Sequence, residues 1–241
     1  MNYLGWLVDG ANWGGPQGIT QRLIEHLGYT ALTMVIALVV AVPLGAWIGH
    51  RSTSTGGFVV SGANGLRALP TLGLLVLLVT WIGLGFTGPL IALLVLGIPP
   101  ILAGTYAGIR NVDRAIVDAA TGMGMRGKDV LLKVELPNAL PLIIGGIRSS
   151  LLQVVSTATI AAYVGLGGLG RFIFDGLAQR DFPQMIGGSI LVAVLAVALD
   201  LVFGGLQKLL VSPGLQAAPR GPRRLRAVPS PKQQTPAAEA A

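Results

Sequence analysis

Few side chains in this chain could do covalent chemistry, and their spacing argues against it. There is no cysteine, which excludes thiolate nucleophiles, thiolate metal ligands and disulfides. The two histidines, His26 and His50, flank one apolar run at opposite ends and are expected not to meet. The acidic residues are scattered, so neither a metal-ligand cluster nor a general acid–base pair is expected. There is no GxxxxGK[ST] loop, so ATP hydrolysis by that route is excluded. Gly165-Leu166-Gly167-Gly168-Leu169-Gly170 satisfies GxGxxG literally. A dinucleotide site would need a strand before it, a helix after it and an acidic residue ~20 positions on. Here it follows a long apolar run, and a tight turn is the better reading, because glycine adopts backbone angles closed to other residues. The chain is read as a non-enzyme with no catalytic residue, cofactor or metal site.

Two polar features remain. Arg148 and Asp200 each interrupt an apolar run. A lone charge in hydrocarbon is costly, so each should face a bundle interior or water. At ~1.5 Å per residue both sit roughly 10–15 Å from the same end of their runs, with opposite sign. A direct or water-bridged Arg148–Asp200 pair fixing two helices is the expectation. The second feature is DAATGMGMRGKDVLLKVELPNALP, Asp118 to Pro141, a charged insert in an apolar chain. Val117, Ala120, Met123 and Gly124 lie on one face at helical spacing, and Gly122, Gly124 and Gly127 divide the stretch into short pieces. One or two short helices beside the membrane are expected.

The elements that must position these residues are membrane spans. The chain has 241 residues, 52% hydrophobic and 11% charged, with a mean hydropathy of +0.71. Soluble domains carry about 25% charged residues, so a soluble globule is excluded. A membrane helix needs about 20 apolar residues. Runs of that kind occupy 27–49, 66–84, 89–109, 140–163 and 185–206. The fold class expected is an all-α integral membrane protein with five transmembrane helices. Gly104 and Gly108 form a small-xxx-small pair suited to close packing between helices of the same chain.

Lys and Arg distribution orients the spans. With the N-terminus outside, the inner segments hold Arg51, Arg67, Arg110, Arg114, Arg126, Lys128, Lys133 and Lys208. The outer segments hold Arg22, Arg171 and Arg180. This places the insert and the C-terminus in the cytoplasm. The expected organisation is an extracytoplasmic segment 1–26, a membrane domain 27–209 with a cytoplasmic loop 110–139, and a basic tail 210–241. The tail is rich in Pro, Ala and Arg and is expected to be disordered. Its Arg220, Arg223, Arg224 and Arg226 suit anionic lipid better than nucleic acid. Trp6, Trp13 and Tyr3 suit the outer interface.

The insert also carries a spaced motif. Asp118-Ala119-Ala120, three residues, Gly124, nine residues, then Val134-Glu135-Leu136-Pro137 resembles the coupling loop of ABC importer permeases. In that family the pattern is Glu-Ala-Ala, three residues, Gly, nine residues, Ile-x-Leu-Pro. Asp118 and Val134 are the departures, both conservative. Leu66 to Leu75, Ile98 to Ile109, Gly145 to Arg148 and Ala162 to Gly170 are similar to osmoprotectant permeases in particular. Arg67 stands where a neutral polar residue is expected.

The resemblance implies a type I ABC importer permease in a prokaryotic cell membrane, passing glycine betaine, choline or carnitine. It implies ATPase subunits on separate chains, a second permease subunit, identical or homologous, and an extracytoplasmic solute-binding protein. Asp118, Ala119, Ala120, Gly124, Val134, Leu136 and Pro137 would form the ATPase-coupling loop. Ala119, Ala120 and Gly124 would allow close approach, Asp118 would stabilise a helix N-terminus, and Pro137 would start the fourth span. Arg148 or Asp200 could alternatively line the path, with Tyr106 and Tyr163 as path aromatics. A methionine-type or other amino-acid importer permease shares the loop. An autonomous channel or ion-coupled carrier is the reading from another class.

Overall fold

The computed structural model describes residues 4–51 and 54–211, and every regular element in them is helical. Long Leu, Val, Ile and Ala runs favour this because a helix satisfies each backbone N–H and C=O within its own segment, as hydrocarbon demands. The short α1 (Gly5–Val8) precedes α2 (Ile19–His50), α3 (Ser54–Leu66), α4 (Thr71–Ile82) and α5 (Thr87–Arg110). The insert holds α6 (Arg114–Gly122). Then follow α7 (the helical run Gly127–Val164), α8 (Gly170–Gln179) and α9 (Phe182–Leu210). Tyr3 and the basic segment from Ser212 lie outside the described residues.

Helices α2, α5, α7 and α9 are each long and apolar enough to cross a membrane. The second span expected from hydropathy, 66–84, is not one straight helix. Its first residues form an elbow at Arg67–Pro70, where α3 and α4 bend by 87°. A charge at 67 and a proline at 70, which lacks an N–H and restricts the residue before it, break the helix there. Alone, α4 reaches about 18 Å at ~1.5 Å per residue, short of the ~30 Å hydrocarbon core.

The packing shows why the bent pair belongs to one crossing. Gly45 lies against Thr105, and Gly49 against Ile109; Thr33 nears Gly97. Contacts that ascend together mean that α2 and α5 run parallel, so the chain between them must return to the far end. Gly56 of α3 starts beside Ile48 and Tyr106. Phe86, after α4, reaches the Tyr29 ring with centroids 5.6 Å apart. Counting the bent pair as one span gives five.

The core sits where α2, α5 and α7 meet, around Ala37, Ala41, Leu93, Ile101, Val154, Val155 and Ala158. Helices α5 and α7 are antiparallel and close. A methyl group on Gly104 would stand 2.8 Å from Gly146 Cα, and one on Gly108 would stand 2.9 Å from the Ala139 carbonyl. The pair read from the sequence therefore packs within the chain. Helix α9 is the outermost, with little of its apolar length covered.

At the end far from the insert, the glycine-rich stretch is a turn. Gly165, Gly167 and Gly168 take φ of 94°, 34° and 79°. The Gly168 N–H donates to Glu25 Oε2 at 2.9 Å, and Arg22 pairs with the same carboxylate at 2.9 Å. The motif thus holds a carboxylate of its own chain.

Candidate coupling face and membrane path

Helix α6 carries the first half of the motif. Its N-cap is Asp113, whose side chain accepts from the Ala115 N–H at 2.9 Å. Asp118 lies in the middle of the helix, so the role expected for it at the N-terminus falls to Asp113. The reason is local: Asp113 immediately precedes α6, after the link Asn111-Val112, and satisfies an orphan donor at the first turn.

Gly124 ends the helix with φ 84°. The Gly124 N–H donates to Thr121 O at 2.9 Å and the Met125 N–H to Ala120 O at 3.2 Å. This is a Schellman cap, which requires a left-handed residue and so favours glycine. Ala120 is buried, while Asp118 and Ala119 are exposed, as are Ile116 and Met123. Ala115, Ile116, Ala119, Met123, Met125 and Val134 border an open apolar groove of about 410 Å³. Its lining combines small alanines with two methionines, whose unbranched side chains adapt in shape.

Val134, Leu136 and Pro137 belong to the first turns of α7, which begins at Gly127. Pro137 therefore lies inside a helical run and does not open it. Proline lacks the N–H and clashes with the carbonyl four residues back. The run absorbs this with a π-turn over Leu131–Glu135, where the Leu136 N–H donates to Leu131 O. Such turns add a residue to the helix without ending it.

One contact ties this junction to the spans, and sequence spacing gave no sign of it. His50 Nδ1 and Glu135 Oε2 are 2.6 Å apart, joining the end of α2 to the π-turn. Glu135 is buried, and the sequence signal that could have marked it is an acid inside an apolar V-x-L-P run. The other histidine, His26, is fully buried, with Nε2 3.2 Å from Val155 O. The two histidines do lie at opposite ends of α2.

Deeper in the membrane portion, Arg148 of α7 and Asp200 of α9 form a bidentate ion pair, Nε to Oδ1 and Nη2 to Oδ2. Their side chains keep 37% and 29% exposure, respectively, on a cavity of about 700 Å³. Tyr106 lies near the insert end of α5, beside Gly56. Tyr163 lies at the opposite end of α7 against Phe174, with ring centroids 5.3 Å apart. The structure does not bring these two tyrosines together.

The comparisons with known proteins agree on a family. Residues 41–212 match the model of the binding-protein-dependent transport system inner membrane component. A carnitine transport permease protein of Listeria monocytogenes is 34% identical over 82% of this chain and 90% of its own. A glycine betaine/carnitine/choline transport system permease protein of Bacillus subtilis is 35% identical over 80% and 88%. An inward-facing structure of the MetNI methionine ABC transporter superposes with a TM-score of 0.70 at 19% identity, over 80% of this chain and 96% of that one. An amino acid ABC transporter solved with histidines gives 0.62 at 19% identity, over 87% and 97%. At such identities the structural likeness shows the fold, that of the type I importer permeases. Fold, sequence match and relatives together show that the chain belongs to the family of binding-protein-dependent transport system inner membrane components.

Proposed function

We propose that this chain is the membrane-spanning subunit of an ATP-driven importer for a quaternary-amine osmoprotectant such as glycine betaine, choline or carnitine. The observation that carries the coupling role is the insert: a capped helix with an exposed apolar groove, joined by a short link to α7, whose π-turn is tied to α2. Helix α6 would dock in a groove of a cytoplasmic ATPase on a separate chain. Its displacement would pass through the π-turn to α7 and through His50 to α2. The solute class rests on the relatives that match over most of their length, whose printed names are carnitine, choline and glycine betaine transport.

In this reading the insert end faces the cytoplasm of a prokaryotic cell. Arg110, Arg114, Arg126, Lys128 and Lys133 cluster there, as the positive-inside rule requires. Residues 1–26 lie outside, 27–209 form the membrane domain and 210–241 meet anionic lipid. A second permease subunit and an extracytoplasmic solute-binding protein complete the assembly. The test is uptake by cells that lack their own osmolyte importers and express this chain with its ATPase and binding protein. Energy-dependent accumulation of radiolabelled glycine betaine, choline or carnitine is expected. Accumulation of methionine alone, or equal uptake without the ATPase, refutes the proposal.

A further inference from the structure

Most outward faces of the spans are what lipid requires. On α9, Val194 and Val197 are exposed and apolar. One face of α7 is different. Gly145, Ser149 and Ser156 are exposed, and Tyr163 is 57% exposed. At 100° per residue these four fall within about 40° of one another. Nothing stands within 4 Å of the position a Gly145 side chain would take. Arg148 borders this face, and its pair with Asp200 is a third open rather than sealed. The adjoining cavity is also lined by Gln207 and Lys208, about two turns along α9 from Asp200 toward the insert end. A half-open ion pair and a row of hydroxyls are costly against hydrocarbon; Gly145 and Ser149 would admit a close helix seam, but the exposed Tyr163 and the open ion pair would not. Water meets both demands.

We propose that this face of α7 is a wall of the solute path and that the Arg148–Asp200 pair at its edge is a subsite for a small zwitterion. The two bonds to Asp200 use Nε and Nη2, which leaves Arg148 Nη1 outside the pair as a donor to a carboxylate. The Asp200 carboxylate then faces the quaternary ammonium, so a dipolar solute lies antiparallel to the dipole of the pair. A cavity of about 700 Å³ is within the usual range for ligand sites. The solute chemistry rests on the function proposed above; the wall does not.

Because the chain has no cysteine, an introduced cysteine is its one thiol, and labelling is read on this chain's own band. Ser149→Cys and Ser156→Cys, in the full complex, should react with a charged, membrane-impermeant thiol reagent at least tenfold faster than Val197→Cys. Reaction no faster than the Val197→Cys control overturns the wall. The charge swap Arg148→Asp/Asp200→Arg keeps an ion pair and reverses its direction. It should leave the complex assembled and thermally stable while lowering glycine betaine uptake at least tenfold; wild-type uptake overturns the subsite. Should the swap fail to assemble, Arg148→Gln/Asp200→Asn decides by the same tenfold criterion. A wild-type complex that takes up no quaternary amine refutes the proposed function and leaves the cysteine result standing.

Discussion

Two adjacent glycines on α7 have opposite surroundings, and the contrast can be measured. A methyl group on Gly146 would stand 2.6 Å from the Pro100 carbonyl oxygen and 3.1 Å from Gly104 Cα, both backbone atoms of α5. Neither can swing aside, so α5 and α7 must separate by about 0.8 Å to restore ordinary contact at 3.4 Å. The same seam holds the bond from Ser150 Oγ to Gly97 O at 2.6 Å and the buried Val154. Overpacking of this kind costs ~1–3 kcal/mol, and weakening one buried hydrogen bond adds ~1 kcal/mol. For a chain of this size ~1 kcal/mol corresponds to ~2–4 °C in Tm. Gly146→Ala should therefore lower the Tm by roughly 5–15 °C on that scale. Gly145→Ala meets nothing within 4 Å and gains up to ~1 kcal/mol of helix propensity, so its Tm should hold or rise slightly. Thermal unfolding in detergent, followed by tryptophan fluorescence, makes the comparison. Equal Tm values for the two variants would refute the reasoning, because only the backbone contact distinguishes the sites.

Three further outcomes are expected. His50→Ala leaves the buried Glu135 carboxyl without its partner and should cost ~1–3 kcal/mol, more than Glu135→Gln, which leaves an imidazole that solvent can reach; Tm values rank the two. Gly124→Val forces a β-branched residue to φ 84° and should fray the end of α6 by ~1–2 kcal/mol, whereas Gly122→Ala, with open space around it, should not. Hydrogen exchange over α6 reads that difference. Asp113→Ala should loosen the first turn of α6 by ~1 kcal/mol, and Asp118→Asn should leave exchange there unchanged.

What the sequence made legible follows from which interactions are local. The apolar runs identified membrane helices because hydrocarbon leaves the backbone few alternatives. Opposite charges at matched depth pointed to Arg148 and Asp200, since an unpaired charge there is expensive. The elbow at Arg67–Pro70 escaped because hydropathy averages over a window and smooths a break four residues long. Asp113 lies outside the spaced motif, so the pattern that begins at Asp118 does not mark the helix start that Asp113 caps. The π-turn left no pattern, since it is a response to Pro137 within a helix that tertiary packing sustains. The His50–Glu135 contact spans 85 positions and depends on how α2, α5 and α7 stack, which no local spacing encodes.

The π-turn also sets an angle. It places one surplus residue between the insert and the span, and one residue is worth about 100° of rotation. Rewinding Leu131–Glu135 as regular α-helix with no residue removed would turn α6 by that amount about the axis of α7. The groove of Ile116, Ala119 and Met123 would then point elsewhere, while Glu135, next to the span, would stay beside His50. The wide turn between Gly127 and Pro137 thus acts as a phase setting, and any partner that grips α6 must be matched to that phase as well as to the surface it meets.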